Sequence, residues 1–334
     1  MESFTDYARD RTYAILGTGA VGGFYGGCLQ KTGVDVHFLL HSDYEYVNKH
    51  GLIVESKDGD FTLPHVKAYR DVETMPPCDV VVVALKTTQN HLLPKLLPSV
   101  VKDDGVVLVL QNGLGVEDEI AQIVGSKRVM GGLCFLCSNK VGPGYIRHLD
   151  YGEIKLGEYA PDYQSCGITE RMRQIASDFE RAGIPIKLAE DLLLARWQKL
   201  VWNIPYNGLS VVLNARTDEL MADVHTRALV EQLMWEVVAG AKSCDRAAFP
   251  QKNRIILDSF VELMLDYTLK MKPYRTSMKI DYDEKRPLEV ETMFGNPLRL
   301  AQQNGVDLPQ ITMLYQQLKF LNARNSNFGN NASC

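Results

Sequence analysis

The stretch TYAILGTGAVGGFYGGCLQKTGVDVHFLL, residues 12–40, decides the fold. Its opening TYAIL is a short apolar run that stops at Gly17-Thr18-Gly19-Ala20-Val21-Gly22, after which small and apolar residues continue to about Lys31. A second apolar run fills 34–40, directly after Gly33. Strand, tight turn, helix and second strand in this span describe a βαβ unit. Each glycine has a physical reason in that setting. Gly17 permits the tight turn, Gly19 lets backbone approach a pyrophosphate, and Gly22 lets the helix pack closely on the strand. The helix N-terminus adds N–H groups and the positive end of its dipole. Residues Gly17, Thr18, Gly19, Ala20, Val21 and Gly22 are therefore the expected cradle of a dinucleotide, the alternative being a glycine turn that serves packing alone.

Working outward, DVVVVAL at 79–85 and GVVLVL at 105–110 are β-branched and unalternating, as strands covered on both faces should be. They predict a parallel, doubly wound sheet. The glycine-punctuated, β-like region 140–158 and a connecting helix near 166–182 close this part. Beyond about 190 the pattern becomes helical, over 191–204, 217–243 and 253–271. The 334 residues exceed what one core comfortably organises. The expected architecture is an α/β Rossmann-type domain over residues 1–189 and an all-helical domain over 190–324. The polar segment NSNFGNNASC, 325–334, is expected to be frayed or disordered.

Composition narrows the partners. A net charge of -5 with interspersed signs offers no basic stripe for a phosphate backbone, so nucleic acid is not expected. No apolar run reaches the roughly eighteen residues of a membrane span, and the acidic opening MESFTDYARD is unlike a secretory leader. A cytoplasmic protein is expected. Seven cysteines, an odd number, fit reduced thiols. Cys134 and Cys137 have CxxC spacing, but no second pair stands at zinc-site distance, and the apolar run around them suits cysteine as a small hydrophobe. No metal is expected.

At the end of the second strand an NAD-preferring site usually places an Asp or Glu toward the ribose hydroxyls. Here the residues are Leu39, Leu40, His41 and Ser42. Without a carboxylate to repel a 2′-phosphate, and with His41 and Ser42 able to donate to one, NADPH is favoured over NADH. A surface loop histidine is the alternative for His41.

The second signal is RWQKLVWNIPYNG at 196–208, where Lys199, Asn203 and Asn207 recur at steps of four and share a helix face amid apolar neighbours. Such a stripe is costly unless it meets partners in a cleft, the alternative being a solvated face. Pro205 is expected to kink or end the helix near Val201. In a nicotinamide enzyme a lysine can polarise a ketone and protonate the alkoxide left by hydride delivery. Asn side chains bind hydroxyl and carbonyl groups without adding charge. Together they describe a carbonyl reductase for a small polar keto compound.

Read in order, GTGAVGG at 17–23, LKTTQN at 85–90, QNGLG at 111–115, GPGYIRH at 142–148, KLVWNIPYN at 199–207, TSMKID at 276–281 and LEVETMFG at 288–295 resemble the ketopantoate reductase family. That family lies within the 6-phosphogluconate-dehydrogenase-like proteins, and the resemblance runs over nearly the whole chain. It implies NADPH-dependent reduction of 2-dehydropantoate to pantoate, a step toward pantothenate and coenzyme A, with a cleft that closes on substrate. Another keto or hydroxy acid reductase of the superfamily, or a non-catalytic NADP(H) sensor, are the alternatives. It implies further that Lys199 is the proton donor and Glu289 the second catalytic residue. Asn203, Asn207 and Ser277 then hold substrate, while Lys86 and Asn112 lie along cofactor and substrate. Asp281 matches an acidic position of lesser role, its alternative being a helix-surface carboxylate. For Glu289 the residues alone favour a solvated carboxylate. Family members that favour NADPH often carry arginine where this chain has His41, and a neutral imidazole grips a 2′-phosphate less firmly than a guanidinium fork. A homodimer is the assembly the resemblance suggests.

Overall fold

The structure, a computed structural model, describes residues 11–244 and 255–331, with side chains through 325. The chain divides into two compact units. The first holds the residues through Gln111 together with Glu117–Leu192, and the second holds Asn112–Val116 with the residues from Leu193 onward. The expected division at 189/190 therefore moves three residues, and a five-residue piece of the first sequence half, Asn112–Val116, clusters with the second unit.

The first unit is built on a ten-stranded sheet. Strands β1 (Tyr13–Leu16), β2 (Val36–Leu39), β3 (Leu52–Ser56), β4 (Phe61–Leu63) and β5 (Lys67–Tyr69) come first. They are followed by β6 (Cys78–Val83), β7 (Val101–Val109), β8 (Val129–Gly142), β9 (Tyr145–Glu158) and β10 (Ile186–Ala189). The run β5-β2-β1-β6-β7-β8 is parallel throughout, with Ile15 registered against Phe38 on one side and Val82 on the other. Winding proceeds one way from β1 to β2 and the other way from β6 to β8, which puts the crevice of a doubly wound sheet at the C-terminal ends of β1 and β6. Parallel pairing does not extend across the whole sheet. The long strands β8 and β9 form an antiparallel hairpin, and β3 with β4 adds an antiparallel edge.

Helices α1 (Ala20–Lys31), α2 (Tyr44–His50), α3 (Leu93–Val100), α4 (Val116–Val124) and α5 (Glu170–Arg181) accompany the sheet. Alternate strand residues Ile15, Val80, Val82 and Leu108 form one core with Tyr25 and Leu29 of α1 and Met172, Ile175 and Phe179 of α5. This is the period-two pattern of a strand meeting the helical stripe of its cover. At the edge of that core the buried Asp178 accepts the Tyr13 hydroxyl at 2.7 Å and Arg11 Nη1 at 2.9 Å, fixing α5 to the start of β1.

The second unit is helical: α6 (Leu192–Val212), α7 (Thr217–Ala222), α8 (Val224–Ser243), α9 (Asp258–Lys270), α10 (Ser277–Asp283), α11 (Asn296–Gln303) and α12 (Pro309–Asn331). Three expectations change here, and a fourth feature is new. Helix α6 does not end near Val201 but runs through Pro205, because Trp197, Val201, Ile204 and Tyr206 are fully buried and packing outweighs the roughly 3 kcal/mol cost of an internal proline. The helical stretch 217–243 is two helices, broken at Asp223, whose carboxylate caps the second by accepting His225 and Thr226 N–H at 3.0 Å each. The polar tail is helical as far as Asn331 rather than frayed from 325. Its first residue is structural, since the buried Asn325 donates to the Arg286 carbonyl at 3.2 Å, and just before the tail Asn322 Oδ1 accepts Leu288 N–H at 2.8 Å. Residues 332–334 lie outside the described residues. Finally, α11 is preceded by a π-helical turn, Glu291–Gly295, in which the Asn296 N–H reaches the Glu291 carbonyl five residues back. Among the described residues no helix is long and apolar enough to cross a membrane.

Candidate active site

In the first unit the glycine turn sits at the C-terminal end of β1, where it meets the end of β6. Gly17 has φ +100°, and a Cβ there would lie 2.6 Å from Leu85 N, so the turn and the strand end that carries Lys86 are in backbone contact. A Cβ at Gly22 would lie 2.3 Å from the Gly17 carbonyl oxygen and 2.8 Å from Ile15 Cγ2, which is the close helix-on-strand packing expected of it. Gly19 is different. Nothing lies within 4 Å of where its Cβ would stand, and no side chain caps the helix that starts after it. Open backbone at an uncapped helix N-terminus fits a pyrophosphate. Ala20 and Val21 form the first turn of α1 and are half-buried. Thr18 has a committed hydroxyl that donates to the Leu39 carbonyl at 3.0 Å and ties the turn to the end of β2. Only its backbone is left to face a ligand. Lys86 is exposed.

His41 and Ser42 follow β2 and are both exposed. The next residue, Asp43, escaped the sequence reading. It is a carboxylate near the strand end, but a buried one, and its oxygens are taken. Oδ2 pairs with Lys140 Nζ at 2.6 Å and accepts Gly144 N–H at 3.0 Å, while Oδ1 accepts the Ser42 hydroxyl at 3.1 Å. Burial alone pushes this carboxyl up, but Lys140, the Gly144 N–H and Ser42 outweigh it and hold the group below the usual carboxylate range. The negative charge near the strand end is thus neutralised by a lysine on β8. The signal that could have found it was Asp43 itself, one position past the residues considered.

In the second unit Lys199, Asn203 and Asn207 are all buried along α6, so the stripe is not a solvated face. It is longer than the sequence reading made it. Ser210, one turn on, is fully buried, lies 2.8 Å from Thr276 Oγ1 and donates to the Asn207 carbonyl. Its spacing of three from Asn207 was the available signal. The stripe ends on the N-terminus of α10. Thr276 caps that helix by accepting Lys279 N–H, and Asn207 Oδ1 accepts Met278 N–H at 3.2 Å with Ser277 Oγ at 3.5 Å. Asn207 and Ser277, matched separately by motif, are therefore neighbours. Asn203 is 6% exposed, and its amide makes no hydrogen bond among the described residues. An amide in that condition is available to a ligand.

Glu289 is 3% exposed, which overturns the solvated reading of LEVE. Asp281 is also buried rather than on the helix surface, and accepts Arg286 Nε at 2.9 Å. Three residues after Glu289 the Thr292 carbonyl accepts Leu114 N–H at 2.9 Å. Asn112, two positions before Leu114, is half-buried, and its side chain makes no hydrogen bond among the described residues. The segments that carry the two motif residues are therefore joined by one backbone hydrogen bond.

The set comprises an open glycine turn with a charge-neutralised second strand end, and a buried lysine with two amides along one helix face. Residues 13–161 match the family model described as Ketopantoate reductase PanE/ApbA, and 191–322 match that described as Ketopantoate reductase PanE/ApbA C terminal. The chain is 72% identical over 316 residues to a 2-dehydropantoate 2-reductase of Nostoc sp. (strain PCC 7120 / SAG 25.82 / UTEX 2576), covering 95% of this chain and 97% of the relative. Among solved structures it is similar to 2-dehydropantoate 2-reductase from Geobacter metallireducens GS-15, with TM-score 0.86, 43% identity, and 92% and 99% of the two chains covered. The corresponding protein from Methylococcus capsulatus gives TM-score 0.82 and 31% identity over 94% and 98%.

Proposed function

The chain belongs to the ketopantoate reductase family, and from that premise we propose that it reduces the ketone of 2-dehydropantoate to the hydroxyl of pantoate, with NADPH as hydride source and Lys199 as proton donor. The observation that carries this reading is the buried polar stripe Lys199, Asn203, Asn207 on a helix otherwise packed on all sides. Burying an ammonium and two amides along one helix is costly, and a keto acid bound there puts all three groups to use.

NADPH supplies the hydride when bound. The residues of this chain do the rest. Gly19 and the open end of α1 hold the pyrophosphate. His41 takes the 2′-phosphate beside an Asp43 charge that Lys140 neutralises, Ser42 turns its hydroxyl from Asp43 Oδ1 to join it, and Lys86 adds positive charge at the neighbouring strand end. Lys199 Nζ donates to the substrate carbonyl oxygen, stabilises negative charge as it develops there, and passes a proton to the alkoxide. The Asn203 and Asn207 amides and the Ser277 hydroxyl orient the substrate's hydroxyl and carboxylate groups. Glu289 acts beside the reacting centre as the second catalytic residue. The product leads toward pantothenate and coenzyme A, and a homodimer is the expected assembly, which sedimentation equilibrium reads.

The test is NADPH oxidation with purified protein and 2-dehydropantoate, repeated with NADH and a panel of other 2-keto acids. The reading requires 2-dehydropantoate to lead the panel by at least tenfold in kcat/KM and NADPH to be preferred. A protein that binds NADPH tightly and reduces no keto acid would overturn it.

A further inference from the structure

We propose that the π-helical turn Glu291–Gly295, together with Asn296 and Gly113, is a positioning device that holds Asn112 in register with Glu289. The proposal rests on the assignment of Asn112 and Glu289 to the site and deepens it.

An α-helix uses every interior carbonyl for its own ladder, whereas a π turn widens the ring by one residue and disturbs that ladder locally. Here the disturbed stretch is where another segment docks. The Thr292 carbonyl accepts Leu114 N–H at 2.9 Å, and Asn296 Nδ2 donates to the Leu114 carbonyl at 2.6 Å. Both backbone polar groups of Leu114 are thus gripped by one helix turn, and its side chain is buried. Approach this close needs glycine on either side of Leu114. Gly113 has φ +95°, and a Cβ on it would lie 2.3 Å from the Thr292 carbonyl oxygen; one on Gly115 would lie 3.0 Å from Asn296 Nδ2. The amide of Asn296 is itself oriented, since its Oδ1 accepts Arg299 Nη2 at 2.5 Å. Arg299 is held in turn by Glu291 at 3.0 Å, whose other oxygen takes Lys319 at 2.7 Å and the Tyr315 hydroxyl at 2.9 Å. Asn112 is therefore two residues from a backbone clamped by a braced turn, and Glu289 is three residues before the clamping carbonyl. The glycines of QNGLG, which have no part in a glycine-rich phosphate loop, acquire a reason: they bring this segment against the turn that follows Glu289.

The test compares Asn112→Ala, Asn296→Ala and the double variant, in the full-length enzyme with NADPH and 2-dehydropantoate, alongside melting temperature. If Asn296 acts through Asn112, Asn296→Ala raises the same Michaelis constant that Asn112→Ala raises, by about three- to tenfold, and adds nothing in the Asn112→Ala background. Arg299→Ala, an exposed change that frees the Asn296 amide without touching the core, gives the same pattern more weakly and serves if Asn296→Ala folds poorly. Losses that multiply in the double variant, or an Asn296→Ala enzyme with wild-type constants beside an impaired Asn112→Ala, overturn the positioning role. Wild-type constants for Asn112→Ala itself would instead remove the assignment on which the proposal rests, and the proposal with it.

Discussion

Asn207 Oδ1 accepts the Met278 backbone N–H at 3.2 Å, so one side chain of the α6 stripe serves as a cap for the helix that carries Ser277. With its oxygen taken, the Asn207 amide has only its N–H donors to offer a substrate carboxylate or hydroxyl. The two roles separate by substitution. Asn207→Ala should lose about 1–2 kcal/mol of stability, because a buried N–H is left unpaired, and should raise KM for 2-dehydropantoate. Asn207→Asp keeps the acceptor and places negative charge at a helix N-terminus, so it should melt near the wild-type temperature while still binding substrate poorly. Melting curves and KM for both variants check this; an Asp variant with normal KM removes Asn207 from the substrate site.

Lys199→Ala should lower kcat by about 10²- to 10⁴-fold, the usual contribution of a positioned general acid, with a smaller change in KM. Steady-state kinetics with saturating NADPH measure it. Normal turnover would mean that the proton comes from elsewhere.

What the residues made legible, and what they did not, follows from where physical constraints are local. The glycine turn and its flanking strands could be read because backbone sterics and hydrophobic period act within a few positions, and the polar stripe because helical spacing does so too. Glu289 could not be read from its own neighbourhood. LEVE looks like a solvated alternation, and only packing from distant segments buries it. Asp43 had the opposite fate. A carboxylate near the second strand end suggests NADH until a lysine nearly a hundred positions away neutralises it, and pairing at that separation leaves no local trace. Pro205 and Asn325 misled for a related reason, since both carry local preferences that tertiary packing overrides.

Cofactor choice should respond to His41. Replacing an exposed imidazole by a guanidinium gives a 2′-phosphate a bidentate, permanently charged partner, so His41→Arg should lower KM for NADPH several-fold and leave KM for NADH nearly unchanged. Lys140→Ala should act the other way by releasing the Asp43 charge next to the same site. Kinetics of the two variants with both cofactors decide the matter. Equal effects on NADPH and NADH would show that this strand end does not face the 2′-phosphate.

The same pair gives the protein an acid-sensitive element. The folded Asp43 carboxyl titrates below its ordinary value, so the fold favours its ionised form. That contribution to stability is fully present above the unfolded carboxylate range, about pH 4, and is lost as pH falls through the lowered folded value. Melting temperature followed from pH 7 to pH 3 should therefore fall less steeply for Asp43→Asn than for the wild type, with the variant already less stable at pH 7. Parallel curves would place the acid-labile charge elsewhere.

Two glycines of one turn should respond oppositely to the same added methyl group. At Gly22 the new Cβ would meet the Gly17 carbonyl oxygen at 2.3 Å and Ile15 Cγ2 at 2.8 Å, forcing α1 away from β1. Overpacking of this kind costs about 1–3 kcal/mol, which lowers the melting temperature by roughly 2–10 °C. At Gly19 the Cβ enters open space from a negative φ of -91°, so Gly19→Ala should be stable to within about 1 kcal/mol of the wild type. The space is open on the side where the pyrophosphate is proposed to lie. Gly19→Ala should therefore raise KM for NADPH at least tenfold in a protein that melts normally. Calorimetry and NADPH titration of both variants separate packing from binding at this turn, and a Gly19→Ala enzyme with unchanged NADPH affinity would move the cofactor off it.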